Sequence, residues 1–493
     1  MSDIVATKID AVDLKIECED SIAKELNQFF TFYVPNYEFT PAYKNKKWDG
    51  KIRLFNVYSR KLYIGLLDYL VQFAKDRKYT IEHEIVNDHQ VTVDDVSNMI
   101  AELSIESRGK LITPYDYQID AITHAINKKR TLLLSPTGSG KSLIIYSLVR
   151  HYLSQLEHDE KILIVVPTTG LVSQMYNDFR DYSGSNWDVE KNCHVIFSGQ
   201  DKITNKQVVI STWQSIYKMP KDFFDKYKVV FGDECHLFKA KSLTTLMTKL
   251  SEADVRIGTT GTLDGTQVHK LVIEGLFGRV RNVTTTKTLM ERKVLSNLHI
   301  DCLMLQYSQS EIQEIKRASY MDEMKWIIAH PKRNKFISDL CGKIKGNTLV
   351  LFNYVELHGK PLYELIQKTY PNKKVFFIYG GTDAEQRENI RQIVDQEKEA
   401  ILVASYGTCS TGINIRNINN IVFTSPSKSV VRVLQSIGRG LRRSESKDSV
   451  KLYDIADNLS YKKYRNHTMR HLDERIKIYT NEHFDYKLIP ITI

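Results

Sequence analysis

Ten short apolar runs, in two series of five, restrict this chain's fold more than anything else in it. The first series is TLLLS (131–135), KILIVVP (161–167), QVVIST (207–212), YKVVFGDE (227–234) and VRIGTTG (255–261). The second is NTLVLF (347–352), KVFFIYG (374–380), AILVAS (400–405), NIVFTS (420–425) and VKLYDIA (450–456). Each run is continuous and rich in Val, Ile and Leu, the pattern of strands covered on both faces. Helical patterns such as SLIIYSLVRHYLSQL (142–156) fall between them. Strand, crossover helix and strand in succession make a parallel sheet. The expected fold class is α/β: two parallel-sheet lobes in tandem, preceded by a small α+β domain.

At 493 residues the chain has room for about three domains. The expected divisions are an N-terminal module at 1–95, a first lobe at 96–280, a second at 281–445 and a strand and helical extension at 446–493. The stretch 81–107, which holds seven acidic residues and no Lys or Arg, marks the first boundary. No apolar run reaches the roughly eighteen residues of a membrane span, and the N-terminus lacks a signal peptide's basic and apolar regions. A cytoplasmic protein is expected, in a host's cytoplasm if phage-encoded, with no membrane partner. Six cysteines without a CxxC pair read as reduced thiols rather than a zinc ribbon. Lys and Arg number 69 against 59 Asp and Glu, and this excess hints at a polyanionic partner.

Between strand TLLLS and helix LIIYSL runs Ser135-Pro136-Thr137-Gly138-Ser139-Gly140-Lys141-Ser142. Small residues there let backbone N–H groups wrap phosphates, and the helix N-terminus adds a favourable dipole. Lys141 would reach the β- and γ-phosphate oxygens of ATP, and the Ser142 hydroxyl would ligate Mg²⁺. Asp233 and Glu234 end the apolar strand YKVVF. Asp233 would hold Mg²⁺, and Glu234 would orient and deprotonate an attacking water. About 200 residues on lies Gln435-Ser436-Ile437-Gly438-Arg439-Gly440-Leu441-Arg442-Arg443. Arg439 and Arg442 there are candidate arginine fingers, since the guanidinium is planar and permanently charged.

In this order, these three elements resemble the superfamily 2 helicases of the DExH type, and within them the UvsW-type phage helicases of recombination and repair. The resemblance implies two RecA-like lobes and adds further site residues. Gln118, in TPYDYQIDA (113–121), matches the adenine-reading glutamine, although Tyr115 stands where the family often has Arg. Thr168 and Thr169, Trp213, Thr260-Gly261-Thr262 and Thr411 fall in segments that contact the strand or couple nucleotide state to lobe movement. Asn414 stands where many relatives carry Asp. Gln435 joins the nucleotide contacts. His236 reads as a link from the ATP site to the arginine segment. The implied activity is an ATP-dependent DNA helicase that remodels branched or forked DNA, by junction migration, fork regression and unwinding of RNA–DNA hybrids in R-loops. An RNA helicase, and an ATP-clamped duplex-DNA-binding protein without strand separation, are the rival readings. A monomer is expected.

In the N-terminal module, residues 29–63 are dense in aromatics and lysine. Asp49-Gly50 reads as a hairpin turn. Lys46, Lys47, Lys51 and Arg53 around it are expected to sit on phosphates. Most of the aromatics are expected in a small core, with LDYLVQFAKD (67–76) as its helix.

Overall fold

The computed structural model describes residues 2–493 except 85–89, 198, 239, 264–265, 412–414, 416, 426–428 and 442–446; of residues 268, 384, 409–411, 430–432 and 439 it describes the backbone alone. The chain forms two compact units, residues 1–135 with 140–283, and residues 284–493 with 136–139.

All five runs of the first series are strands. They lie in a seven-stranded sheet ordered Cys193–Ile196, Val208–Thr212, Lys161–Val166, Tyr227–Gly232, Val255–Thr260, Arg130–Leu134 and Val280–Asn282. Every pairing is parallel. Helices cover both faces, so the central strands are buried except at Lys161 and Lys228. One face packs on helices Asp116–Lys128, Lys141–Leu153 and Thr169–Ser183. The other packs on Lys241–Lys249 and Gln267–Phe277. Arg256 is fully buried, its guanidinium donating to the carbonyls of Met247, Leu250 and Ala253 at the C-terminal end of helix Lys241–Lys249. A buried cation is tolerable there because it meets carbonyls that the helix leaves unpaired.

The N-terminal module belongs to this first unit. Its sheet runs Phe55–Asn56, Lys61–Tyr63, Asp13–Cys18, Ile4–Lys8 and Ile81–His83, antiparallel except for the last pair. Helices Asp20–Phe29 and Leu67–Arg77 cover one face, and Leu271 and Val272 of the lobe complete the same core. Ala11 N–H donates to the Ser251 carbonyl at 2.9 Å, and Tyr69 donates to Glu274 at 2.7 Å. Asp49-Gly50 is not a hairpin tip, contrary to expectation. Strand Lys51–Arg53 pairs with Thr31–Tyr33 across the loop 34–50, and the Asp49 carboxylate accepts from the Lys51 N–H at 3.2 Å instead of turning the chain.

In the second unit the sheet runs Val375–Ile378, Ile401–Ser405, Thr348–Phe352, Asn420–Phe423, Ser449–Asn458, Asn297–Gln306 and Asp485–Thr492, again all parallel. Residues 446–493 thus supply two of its strands, and helix His467–Asn481 packs on strand Ser449–Asn458 through the buried pair Arg475–Asp454, 2.8 Å. Among the described residues no helix is long and apolar enough to cross a membrane.

Candidate active site

The phosphate loop leaves strand Arg130–Leu134 and enters helix Lys141–Leu153. Gly138 and Gly140 have φ of 85° and 86°, where a side chain would be strained. A Cβ on Gly140 would also overlap Nε2 of Gln118. Gln118 is buried in the first turn of helix Asp116–Lys128, its Oε1 accepting from the Tyr115 N–H at 2.8 Å. Within the loop, Pro136 and Thr137 are half-buried and Gly138 is exposed. The Ser139 hydroxyl donates to the Pro136 carbonyl at 2.7 Å. Lys141 Nζ lies across the loop and donates to the Ser135 carbonyl at 3.1 Å. Ser142 Oγ is 3.0 Å from the Tyr182 hydroxyl. The start of a thirteen-residue helix, with the Lys141 ammonium beside it, is a place where the helix dipole favours an anion.

Strand Val255–Thr260 lies between the phosphate-loop strand and Tyr227–Gly232, so the loop and Asp233 stand two strand spacings apart, about 10 Å. The Asp233 N–H continues the ladder by donating to the Val165 carbonyl at 2.9 Å. Its buried carboxylate accepts from the Thr259 hydroxyl at 2.8 Å and the Glu234 N–H at 2.9 Å. Burial, and then the neighbouring Glu234 charge, push the Asp233 carboxyl up from its ordinary range; the Lys141 ammonium opposes them. Glu234 itself takes φ 53°, a left-handed conformation uncommon outside glycine, which turns the chain sharply out of the strand. His236 Nδ1 is 3.3 Å from Glu234 Oε2 and 3.1 Å from Thr260 Oγ1. The side chains of Arg439 and Arg442, towards which His236 was expected to point, lie outside the described residues. Thr260 in turn donates to the Thr262 carbonyl at 3.0 Å.

The other candidates of this unit sit on the same C-terminal edge of the sheet, where ligand crevices of open α/β sheets form. Thr168 caps helix Thr169–Ser183, its hydroxyl accepting from the Leu171 N–H at 3.3 Å, and Thr169 is exposed beside it. Trp213 opens the short helix Trp213–Ile216, half-buried with its ring 5.6 Å from Tyr217. In the second unit Gln435 is half-buried on helix Val430–Gly440. Arg439 is on that helix and Thr411 ends helix Tyr406–Thr411, but both side chains lie outside the described residues, as do Asn414 and Arg442 altogether. In the N-terminal module Lys46 and Lys47 are exposed, Lys51 Nζ lies 4.7 Å over the Tyr33 ring, and Arg53 is ion-paired with Asp49.

Two contacts escaped the sequence reading. Thr259 holds Asp233, and Tyr182 holds Ser142. The first was signalled by two consecutive threonines ending one buried strand, which must point to opposite faces. The second had no signal, because Tyr182 comes forty residues later at the end of another helix.

A parallel sheet that carries a phosphate loop and, two strands away, an adjacent carboxylate pair defines a P-loop nucleoside triphosphatase lobe. Residues 111–265 match the family model described as Type III restriction enzyme, res subunit, and residues 332–444 match the Helicase conserved C-terminal domain. Residues 3–84 match DNA helicase UvsW, N-terminal. The chain is 34% identical to the ATP-dependent DNA helicase uvsW of Enterobacteria phage T4, over 98% of both chains. The crystal structure of T4 UvsW covers 99% of both chains at 32% identity with a TM-score of 0.53. A DNA 3'-5' translocase, XPB2 of Sulfurisphaera tokodaii, is 22% identical over 81% of this chain and 90% of its own. The chain belongs to the UvsW family of ATP-dependent DNA helicases.

Proposed function

We infer that this ATP-dependent helicase works on branched DNA, migrating junctions, regressing forks and unwinding R-loops in recombination, repair and replication, and does so in the cytoplasm. The observation that carries the reading is that the likeness to the phage T4 helicase runs from end to end and includes the N-terminal module at residues 3–84. A bare two-lobe motor has no need of that module.

In this reading ATP lies on the loop Pro136–Ser142, with Gln118 reading the adenine, Gln435 a further contact and Lys141 on the β- and γ-phosphates. Ser142 and Asp233 would hold Mg²⁺. The residues fit such a cation: Asp233 and Glu234 are adjacent, and burial and mutual repulsion raise Asp233 against the Lys141 charge and the hydrogen bonds from Thr259 and the Glu234 N–H. One carboxylate and one hydroxyl, with substrate phosphates supplying the rest, is an ordinary Mg²⁺ set. Mg²⁺ when bound neutralises charge on the β- and γ-oxygens. Glu234 orients the attacking water and takes its proton, with His236 steadying the carboxylate. Arg439 and Arg442 supply charge to the transferring phosphoryl group. Thr168, Thr169, Trp213 and Thr411 hold the strand backbone, and Lys46, Lys47, Lys51 and Arg53 hold phosphates beside the branch.

The test is ATPase and unwinding measured on matched linear, forked and four-way DNA, with RNA of equal length as a further arm. Forks and junctions should stimulate turnover most and be unwound. Equal stimulation by linear DNA would remove the branch preference. Stronger stimulation by RNA would make the protein an RNA helicase, and ATP-dependent binding without strand separation would make it a clamp.

A further inference from the structure

The loop 34–50 of the N-terminal module holds Tyr37, Phe39, Tyr43 and Trp48, yet no residue of its turn Tyr37–Phe39 or its one-turn helix Pro41–Lys44 is buried. Phe39 is 71% exposed. Aromatic rings that contribute so little to a core call for another use. Tyr43 and Trp48 line one cavity of about 640 Å³, with Lys44, Lys46 and Lys47 around it. Between those two rings there is no ring contact among the described residues.

The wall is held in place before any ligand arrives. Tyr37 stacks on Tyr33 at 4.8 Å and meets Tyr43 edge-on at 4.8 Å. The Thr40 hydroxyl donates to the Tyr37 carbonyl at 2.7 Å and accepts from the Tyr43 N–H at 3.3 Å. Trp48 Nε1 donates to the Lys51 carbonyl at 2.9 Å. Of the two acids on the wall, Asp49 is ion-paired with Arg53 and Glu38 is exposed. Lys44, Lys46 and Lys47 are exposed, with no side-chain partner among the described residues. Apolar ring faces beside three ammonium groups that outnumber the exposed Glu38 are the two components of single-strand recognition: stacking on bases and charge on the backbone.

We propose that this cavity seats a base of an unpaired DNA strand, stacked against Tyr43 and Trp48 with the flanking phosphates on Lys44, Lys46 and Lys47. This rests on the reading that the protein works on branched DNA, and it names the part of a branch that the module reads: the unpaired strand rather than the duplex arm.

The test uses the full chain. A short single-stranded oligodeoxynucleotide carrying one iodouracil is bound, irradiated and its adduct mapped by mass spectrometry. An adduct on Tyr43 or Trp48 is expected; adducts confined to the lobes, at Trp213 for instance, would overturn the proposal. Tyr43→Ala should lose the adduct at 43 and bind the oligonucleotide about tenfold more weakly. Its affinity for blunt duplex and its DNA-free ATPase should stay at wild-type values, and Tyr43→Phe should restore oligonucleotide binding. Equal weakening on single strand and duplex, or no weakening on either, would sink the idea. Competition by thymidine monophosphate as strong as by the oligonucleotide would mean a nucleotide pocket and not a strand site. A wild type that formed the adduct but hydrolysed no ATP with any DNA would refute the helicase reading while leaving the cavity assignment standing.

Discussion

Asp233 and Glu234 are consecutive carboxylates on a buried strand end, a poor arrangement for stability and a useful one for chemistry. The Thr259 hydroxyl and one N–H hold Asp233, while the left-handed turn at Glu234 and its contact with His236 aim the second carboxylate elsewhere. Different surroundings for two neighbouring acids are the usual way to give them different tasks. Glu234→Gln keeps the size and loses the base. ATP should bind and persist, so single-turnover hydrolysis should collapse while DNA affinity with ATP equals that of wild type with a non-hydrolysable analogue. Rapid multiple turnover by this variant would move the base to another residue. Lys141→Ala removes the ammonium folded across the phosphate loop. Losing a pre-organised charge of this kind costs on the order of 10²–10³ in rate. Steady-state ATPase should fall by that amount while DNA binding without nucleotide is unchanged; hydrolysis within about tenfold of wild type would refute the loop's assignment.

At the level of elements, the second unit is tied together by buried charge. Arg333 on helix Pro331–Lys343 donates to Asp457 on strand Ser449–Asn458 at 2.7 Å and to the Thr424 carbonyl at 2.7 Å, and Tyr307 donates to the same carboxylate at 2.7 Å. Both ions are fully buried. Breaking one side of such a pair strands the other, which costs about 3–5 kcal/mol. Asp457→Asn should therefore lower unfolding free energy by about that amount in denaturant titration, and a loss under about 1 kcal/mol would mean that Arg333 finds other acceptors. His358 lies on the π-helical turn Val355–Gly359, buried near Arg333 with Ser425 Oγ 3.4 Å from Nδ1. Burial, and then the Arg333 charge, push it down from 6.5 to about 3. The folded form is neutral, so the unfolded chain takes up the proton first. Stability should fall as pH drops from about 6.5 towards 3, by no more than about 1.4 kcal/mol per pH unit, and owe nothing to this group above 6.5. Glu311, held down to about 2 by hydrogen bonds from Ser308, gives its full stabilisation above its ordinary 4.5 and loses it only as pH falls below that value. The window between 6.5 and 4.5 is thus free of Glu311, and His358→Gln should flatten the stability slope within it; an unchanged slope would show that His358 charges in place.

Over the whole molecule, the N-terminal module and the first lobe share one core. A chain that starts at residue 96 would uncover Leu271 and Val272 and remove Tyr69 from Glu274 and Ala11 from Arg130. Its first lobe should melt at a lower temperature than in the full chain, measured by calorimetry; an unchanged transition would make the module an independent domain. Charge on the module is uneven as well. Arg53 is already paired and Lys51 covers a ring, whereas Lys46 and Lys47 are open. In salt titrations of fork binding, Lys46→Ala with Lys47→Ala should flatten log affinity against log salt by about 0.7–0.9 per lost contact, and Lys51→Ala with Arg53→Ala by less. Equal slopes for the two double variants would deny the difference. What could be read from the sequence alone was contiguous: ten strands in two series, the phosphate loop with Lys141 and Ser142, and the pair Asp233–Glu234. Each is a pattern of neighbouring residues whose period or spacing survives without the fold. Strand Asn297–Gln306 was not legible, because His299, Asp301 and Gln306 break its apolar run. It is nevertheless held from both sides, by strands some 150 and 185 residues further along. The contact of Thr259 with Asp233, the pairing of strand Lys51–Arg53 with Thr31–Tyr33 that overrides the hairpin signal at Asp49-Gly50, and the cavity between Tyr43 and Trp48 were likewise decided only in three dimensions. A parallel sheet never pairs residues close in sequence, so the neighbours of each strand end, and the chemistry they make together, exist only once the crossovers have closed.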